Sequence, residues 1–182
     1  MVSRVYRHVV AACARGFGES YVAAAVAVAG AGALLELDAS VPHKLITIMA
    51  PTHSQAIDIY YPLLAYEFGL ESMSLEYSRA LGFFRLPKNV EIRLVSFEAV
   101  ERLRGLGIYL AIQDEISSYV KSPGAKGAFE EIIEPCIITR WSPERAAEYG
   151  AVSPGRSLTI STTKGFNYLY EMSQRAVDDP DW

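Results

Sequence analysis

The chain predicts an α/β fold, a mostly parallel β-sheet flanked by helices. Three observations carry this. Apolar, β-rich runs alternate with helix-length segments along the 182 residues. A glycine loop, Ala14-Arg15-Gly16-Phe17-Gly18-Glu19-Ser20, joins the first such run to the first such segment. Four candidate strands end in polar loops: Arg15 to Ser20, Thr52 to Gln55, Asp114-Glu115, and Ser161 to Lys164. Ligands of open α/β sheets sit outside the carboxyl ends of the strands. The four loops therefore converge on one expected site.

Val5 to Cys13 reads as a buried strand leading into the glycine loop. Residues 19–37 read as a helix with few polar positions, covered on several sides. Val41-Pro42 ends it. Lys44 to Ala50, KLITIMA, is β-rich, and Pro51-Thr52 stops it. Ser54 is the expected N-cap of a helix from Gln55 to about Phe68. Residues 69–78 form a mixed connection. Leu81 to Leu86 and Val90 to Val95 flank Pro87-Lys88-Asn89, the pattern of a hairpin. Ile108 to Ile112 is a short apolar run ending in Gln113-Asp114-Glu115. Helices are expected over 127–140 and 143–149, the second started by Ser142-Pro143. Ser157 to Ser161 is the last strand and Phe166 to Val177 the last helix. One domain over 1–177 follows, with 178–182 as a linker or a cut edge.

Composition narrows the class. The chain is 51% hydrophobic and 21% charged, enough for a sizeable core. A net charge of −4 argues against a surface that coats nucleic acid broadly, while leaving room for a local basic patch. Cys13 and Cys136 form no C-x-x-C pair and no disulfide framework, which predicts reduced thiols and an intracellular setting. The Ala/Val run from Val22 to Leu35 is too short to span a bilayer and is followed by Glu36 and Asp38.

The glycine loop has the setting of a phosphate-binding P-loop. Glycines turn backbone N–H groups toward phosphate oxygens, and the helix N-terminus adds its positive dipole end. Against G-x-x-x-x-G-K-[ST], Gly18 and Ser20 match, Cys13 stands at the first glycine, and Glu19 stands at the lysine. An ordinary glycine turn starting a helix fits these residues as well. Asp114 and Glu115 follow a β-rich run. In a P-loop enzyme an aspartate there holds Mg²⁺ opposite the loop's Ser or Thr, and a neighbouring glutamate polarises the attacking water. Arg102 and Arg104 lie on a glycine-flanked loop from which an arginine could reach a neighbouring subunit's phosphate; Arg15 could act within its own subunit. Surface solvation is the plain alternative for each. Ser161-Thr162-Thr163-Lys164-Gly165 is a polar strand end that could sense a phosphate or cap a helix. Tyr60, Tyr61 and Tyr66 fit a packed helix face better than base stacking, and His53 has no second metal ligand nearby in sequence.

APTHSQA (Ala50 to Ala56), RLRGLGIYLAIQDEIS (Arg102 to Ser117) and SPGRSLTISTTKGFNYLYEM (Ser153 to Met172) together resemble the ATPase domain of the large terminase subunit, the DNA-packaging motor of tailed bacteriophages. The resemblance covers most of the chain. It implies a P-loop NTPase fold of the RecA/ASCE-like kind, with ATP and Mg²⁺ as cofactors. By position, Arg15, Gly16, Phe17, Gly18, Glu19 and Ser20 are similar to the family's Walker A loop, which often lacks the first glycine. Arg15 then corresponds to its P-loop arginine and Ser20 to its Mg²⁺ ligand. Asp114 corresponds to the Walker B aspartate and Glu115 to the catalytic glutamate. Arg104, 11 residues before Glu115, corresponds to a trans-acting arginine finger. Ser161, Thr162 and Thr163 correspond to a motif coupling hydrolysis to DNA movement. The implied partners are double-stranded DNA, the portal ring, a small terminase subunit and copies of the chain itself in a ring, and the implied setting is the host cytoplasm.

Two departures qualify these expectations. Glu19 reverses the charge of the lysine that holds the β- and γ-phosphates. Two like unit charges about 4 Å apart cost on the order of 4 kcal/mol at an effective dielectric near 20. Weak or absent ATP binding and hydrolysis is the prediction, with the fold intact, because a glutamate suits a helix N-terminus. The family's C-terminal nuclease domain and its acidic metal cluster have no counterpart in the sequence. Two other classes stay open: a non-catalytic binding or assembly module, which Glu19 supports, and a fragment of a helicase-like translocase.

Overall fold

A computed structural model describes residues 7–14, 16, 18–119, 124–162, 168–179 and 182. Its centre is a seven-stranded sheet. The strands, in chain order, are β1 (His8–Cys13), β2 (Leu45–Ala50), β3 (Glu76–Ser78), β4 (Phe83–Leu86), β5 (Val90–Ser96), β6 (Ile108–Asp114) and β7 (Arg156–Thr162). Their spatial order is β1-β7-β6-β2-β5-β4-β3. The five strands from β1 to β5 pair in parallel, and β4 and β3 add an antiparallel edge. The Pro87-Lys88-Asn89 hairpin is present, with Lys88 and Asn89 at positive φ.

Two layers of helix cover the sheet. α1 (Glu19–Leu35) and α2 (residues 53–67) pack on the face carrying Ile46, Ile48, Leu94, Leu110 and Ile112. α4 (residues 124–140) and α6 (Tyr168–Asp178) cover the face carrying Met49, Val95 and Ala111. Two short helices, α3 (Leu70–Met73) and α5 (Pro143–Glu148), complete the connections. No helix among the described residues is long and apolar enough to cross a membrane.

α1 owes its position to its small residues. Ala23, Ala24, Ala27 and Ala31 face inward and bring the helix axis close to the sheet. A Cβ on Gly30 would stand 3.0 Å from Leu110 Cδ2, so glycine sets the closest approach. The burial is one stripe and not the several-sided cover expected: Tyr21 and Val22 are about half exposed.

Three further expectations change. The cap of α2 is Thr52, whose hydroxyl accepts from the Gln55 N–H, and the helix begins at His53. The mixed connection contains α3 and the edge strand β3. Asp178 ends α6, and Trp182 is buried against His8 and Phe129, because its indole completes the apolar layer under α4.

Candidate nucleotide site

The parallel strands bring the predicted loops to one edge. β7 lies between β1 and β6, pairing Cys13 with Thr162 and Asp114 with Ile160. The glycine loop, the end of β7 and Asp114-Glu115 are thus consecutive along the sheet's carboxyl edge. Arg15, Phe17, Thr163 and Lys164 lie outside the described residues.

Gly16 and Gly18 both have positive φ, 79° and 83°, and among the described residues nothing lies within 4 Å of where a Cβ would stand at either. Glycine is favoured by the backbone turn at both. Gly18 is the N-cap of the 17-residue α1, with no side-chain cap, and its carbonyl accepts from the Val22 N–H. Backbone amides at a helix N-terminus are an arrangement that holds anions.

Glu19, the first residue of α1, is half-buried, and its Oε2 is buried with no hydrogen-bond partner among the described residues. Its charge reaches Asp114 and Tyr60. Asp114 is buried and accepts from the Tyr60 hydroxyl at 2.6 Å. Burial pushes the Asp114 carboxyl upward; Tyr60's hydrogen bond opposes this, and the charges of Glu115 and Glu19 add to it. The Tyr60 hydroxyl is pushed well above its usual range by burial and by Asp114. The Ser20 side chain acts the other way, favouring the ionised form.

Glu115 leaves β6 with φ 53°, in the left-handed region, and starts a short 3₁₀ turn. Its N–H donates to the Ile160 carbonyl at 2.9 Å. Its carboxylate accepts from Thr162 Oγ1 at 3.0 and 3.3 Å. Strand alternation gives the β7 residues different faces. Thr162 meets Glu115, while Ser161 is buried on the face of Ser157 and Thr159.

Arg104 lies elsewhere. It precedes β6, whereas Asp114 ends it, a separation of roughly 20 Å along the strand. Its guanidinium pairs with Glu101 at 2.6 Å and donates to the Glu131 carbonyl at 3.0 Å. Among the described residues of its own chain it does not meet the glycine loop.

The residues present fit Mg²⁺: Ser20 in the first turn of α1 and Asp114 at the end of β6 supply hard oxygen donors, the kind of incomplete set Mg²⁺ takes when phosphate and water complete its shell. Among the described residues no three His, Cys, Asp or Glu side chains are grouped to hold a metal by themselves. The loop backbone fits a phosphate. The Glu19 side chain does not, since it brings a carboxylate where a phosphate needs a cation.

Tyr60 is the site residue that sequence reasoning missed. Its position on a helix face suggested packing alone. The available signal was chemical: a buried phenol needs a partner for its O–H, and the acidic pair at the end of β6 was the nearest acceptor class on the same edge.

No protein-family model and no curated protein sequence matches the chain. Solved structures do. The large terminase ATPase domain of Thermus phage P74-26 matches over 92% of this chain with a TM-score of 0.62 and 22% identity. An arginine-to-alanine variant of that domain gives 0.61 at the same identity. The large terminase of bacteriophage HK97 matches over 97% of this chain, with a TM-score of 0.59 and 21% identity. The chain spans 64% of the Thermus phage domain and 34% of the HK97 protein. The fold is that of a phage large terminase ATPase domain, a P-loop NTPase fold.

Proposed function

We propose that the chain is the motor domain of a tailed-phage large terminase subunit whose nucleotide site is weakened by Glu19. The observation that carries this is the meeting of the glycine loop, Asp114, Glu115 and Thr162 on one sheet edge, in a fold shared with terminase ATPase domains. In this reading Gly16 and Gly18 turn amides toward the phosphates of ATP, and Ser20 and Asp114 hold Mg²⁺, which neutralises phosphate charge when bound. Glu115 takes a proton from the attacking water, and its bond to Thr162 holds it facing that water. Thr162 reports the state of Glu115 to β7 and onward to α6, with Ser161 and Thr163 in the same coupling segment.

Arg15 reaches the phosphates from its own loop. Arg104, at the far end of β6, serves only the site of a neighbouring copy, which fits a ring. The ring, the portal protein, a small terminase subunit and double-stranded DNA are the partners of this reading, and the host cytoplasm its setting. A second reading, a non-catalytic assembly module of the same fold, draws on Glu19 itself. Its carboxylate opposes the anionic ligand that the loop backbone favours.

The test is hydrolysis of ATP by the chain, by Glu19→Lys, and by Glu19→Lys carrying Glu115→Gln. The motor reading expects Glu19→Lys to hydrolyse ATP, and the added Glu115→Gln to lose about 10²–10⁴-fold in rate. No hydrolysis by Glu19→Lys, even at concentrations where the chain self-associates, would contradict it and favour the module.

A further inference from the structure

We propose that Tyr60 is a positioning residue of the nucleotide site, its hydroxyl holding the Asp114 carboxylate toward a divalent cation. The inference rests on the site reading above and adds a residue to it.

Tyr60 has no exposed surface, and its hydroxyl donates to Asp114 Oδ2 at 2.6 Å. That bond fixes the carboxylate's orientation through one of its oxygens, and the lone pairs not engaged by it are what a metal takes. One phenol on α2 thus sets the orientation of the oxygen donor at the end of β6. Such outer partners fix the geometry of metal ligands and tune their affinity.

Tyr60 closes a π-helical turn, Ala56–Tyr60, one of three among the described residues, so it is the hydroxyl's bond to Asp114 and not the turn that marks it out. The next residue shows what an ordinary buried tyrosine does: Tyr61 stacks on Phe84 at 4.8 Å and donates to Glu71, away from the site. Of this pair, Tyr60 is the one bonded to a site residue.

The experiment measures Mn²⁺, as a paramagnetic stand-in for Mg²⁺, binding to the Glu19→Lys chain in the presence of saturating ADP. Electron paramagnetic resonance of free Mn²⁺ gives the affinity. ADP affinity in EDTA is measured separately. Adding Tyr60→Phe is expected to weaken Mn²⁺ by about 10–100-fold and to leave the metal-free ADP affinity unchanged. A purely structural tyrosine would shift both together or neither. If Asp114→Asn abolishes Mn²⁺ binding while Tyr60→Phe leaves it intact, the positioning role is overturned and the site reading stands. If no Mn²⁺-ADP binds, or Asp114→Asn has no effect, the site reading is overturned and the positioning role with it. A second readout needs no Tyr60 variant in the measured sample. With 3-fluorotyrosine incorporated, the Tyr60 ¹⁹F resonance is expected to move with Mg²⁺-ADP and not with ADP in EDTA. A resonance indifferent to Mg²⁺ overturns the proposal.

Discussion

Replacing Gly155 by alanine is expected to destabilise the chain, whereas the same change at Gly32 is expected to stabilise it. A Cβ on Gly155 would stand 2.7 Å from Ile137 Cγ2 and 2.7 Å from Trp141 Cβ. Carbon–carbon contact is optimal near 3.5–4.0 Å, so both contacts would be about 1 Å too short. Neither neighbour has room to give. Ile137 is fully buried, and Trp141, 1% exposed, is held by its indole N–H to the His43 carbonyl at 2.8 Å. The Gly155 N–H also donates to the Trp141 carbonyl at 2.8 Å, which ties the two backbones together. Overpacking of this kind costs about 1–3 kcal/mol, and the rigid neighbours argue for the upper half. A domain of this size loses about 2–4 °C in Tm per kcal/mol, so a fall of roughly 4–12 °C is expected. Gly32 sits in exposed helix, with nothing within 4 Å of an added Cβ. Alanine there gains up to about 1 kcal/mol of helix propensity. Urea midpoints by circular dichroism, at constant m, measure both. A Gly155→Ala midpoint equal to the parent's would refute the close seating of β7 against α4, on which the position of Thr162 depends.

Asp114→Asn is expected to stabilise the chain at neutral pH by roughly 0.5–2 kcal/mol. The folded carboxyl titrates above its unfolded value, first through burial. Stability from this group is therefore full below the unfolded pKa and falls as pH rises through the folded one. The asparagine variant should lack that falling limb in melts across pH; an unchanged pH profile would contradict the assignment. Trp182→Ala should cost about 3 kcal/mol in urea, because its ring packs on His8, Phe129 and Arg175. A neutral result would mean that the indole is not buried in solution. Arg104→Ala should leave the melting temperature unchanged, since an exposed ion pair with Glu101 contributes little. It should instead lower only hydrolysis that depends on chain concentration.

The legible part of the fold was local. Alternating apolar runs gave β1, β2, β6 and β7 within a few residues, and Pro87-Lys88-Asn89 marked its turn because few other residues tolerate that geometry. Ser142 capped α5 as a hydroxyl before Pro143 should. At the N-terminus of α2, Thr52 and Ser54 offered equivalent chemistry, and only the path out of β2 chose Thr52. The acidic pair and the glycine loop were legible because their residue types match a chemistry. Tyr60 was not, because its hydrogen-bond partner, Asp114 at the end of β6, lies 54 residues downstream, which no local pattern encodes. Trp182 was hidden for the same reason. Acidic neighbours in sequence suggested an edge, while its indole found a partner in β1.

The most direct test of the central claim is calorimetric titration of Mg²⁺-ATP into the chain and into Glu19→Lys side by side. The account predicts heat of binding for the lysine variant and little or none for the chain itself. A swing from repulsion to attraction at the β- and γ-phosphates should exceed about 2 kcal/mol even in a water-like dielectric, or roughly 30-fold in affinity. Equal binding by both would show that backbone amides alone hold the phosphates and that Glu19 is no obstacle. Failure of both, with each folded, would contradict the assignment of the glycine loop as the phosphate site.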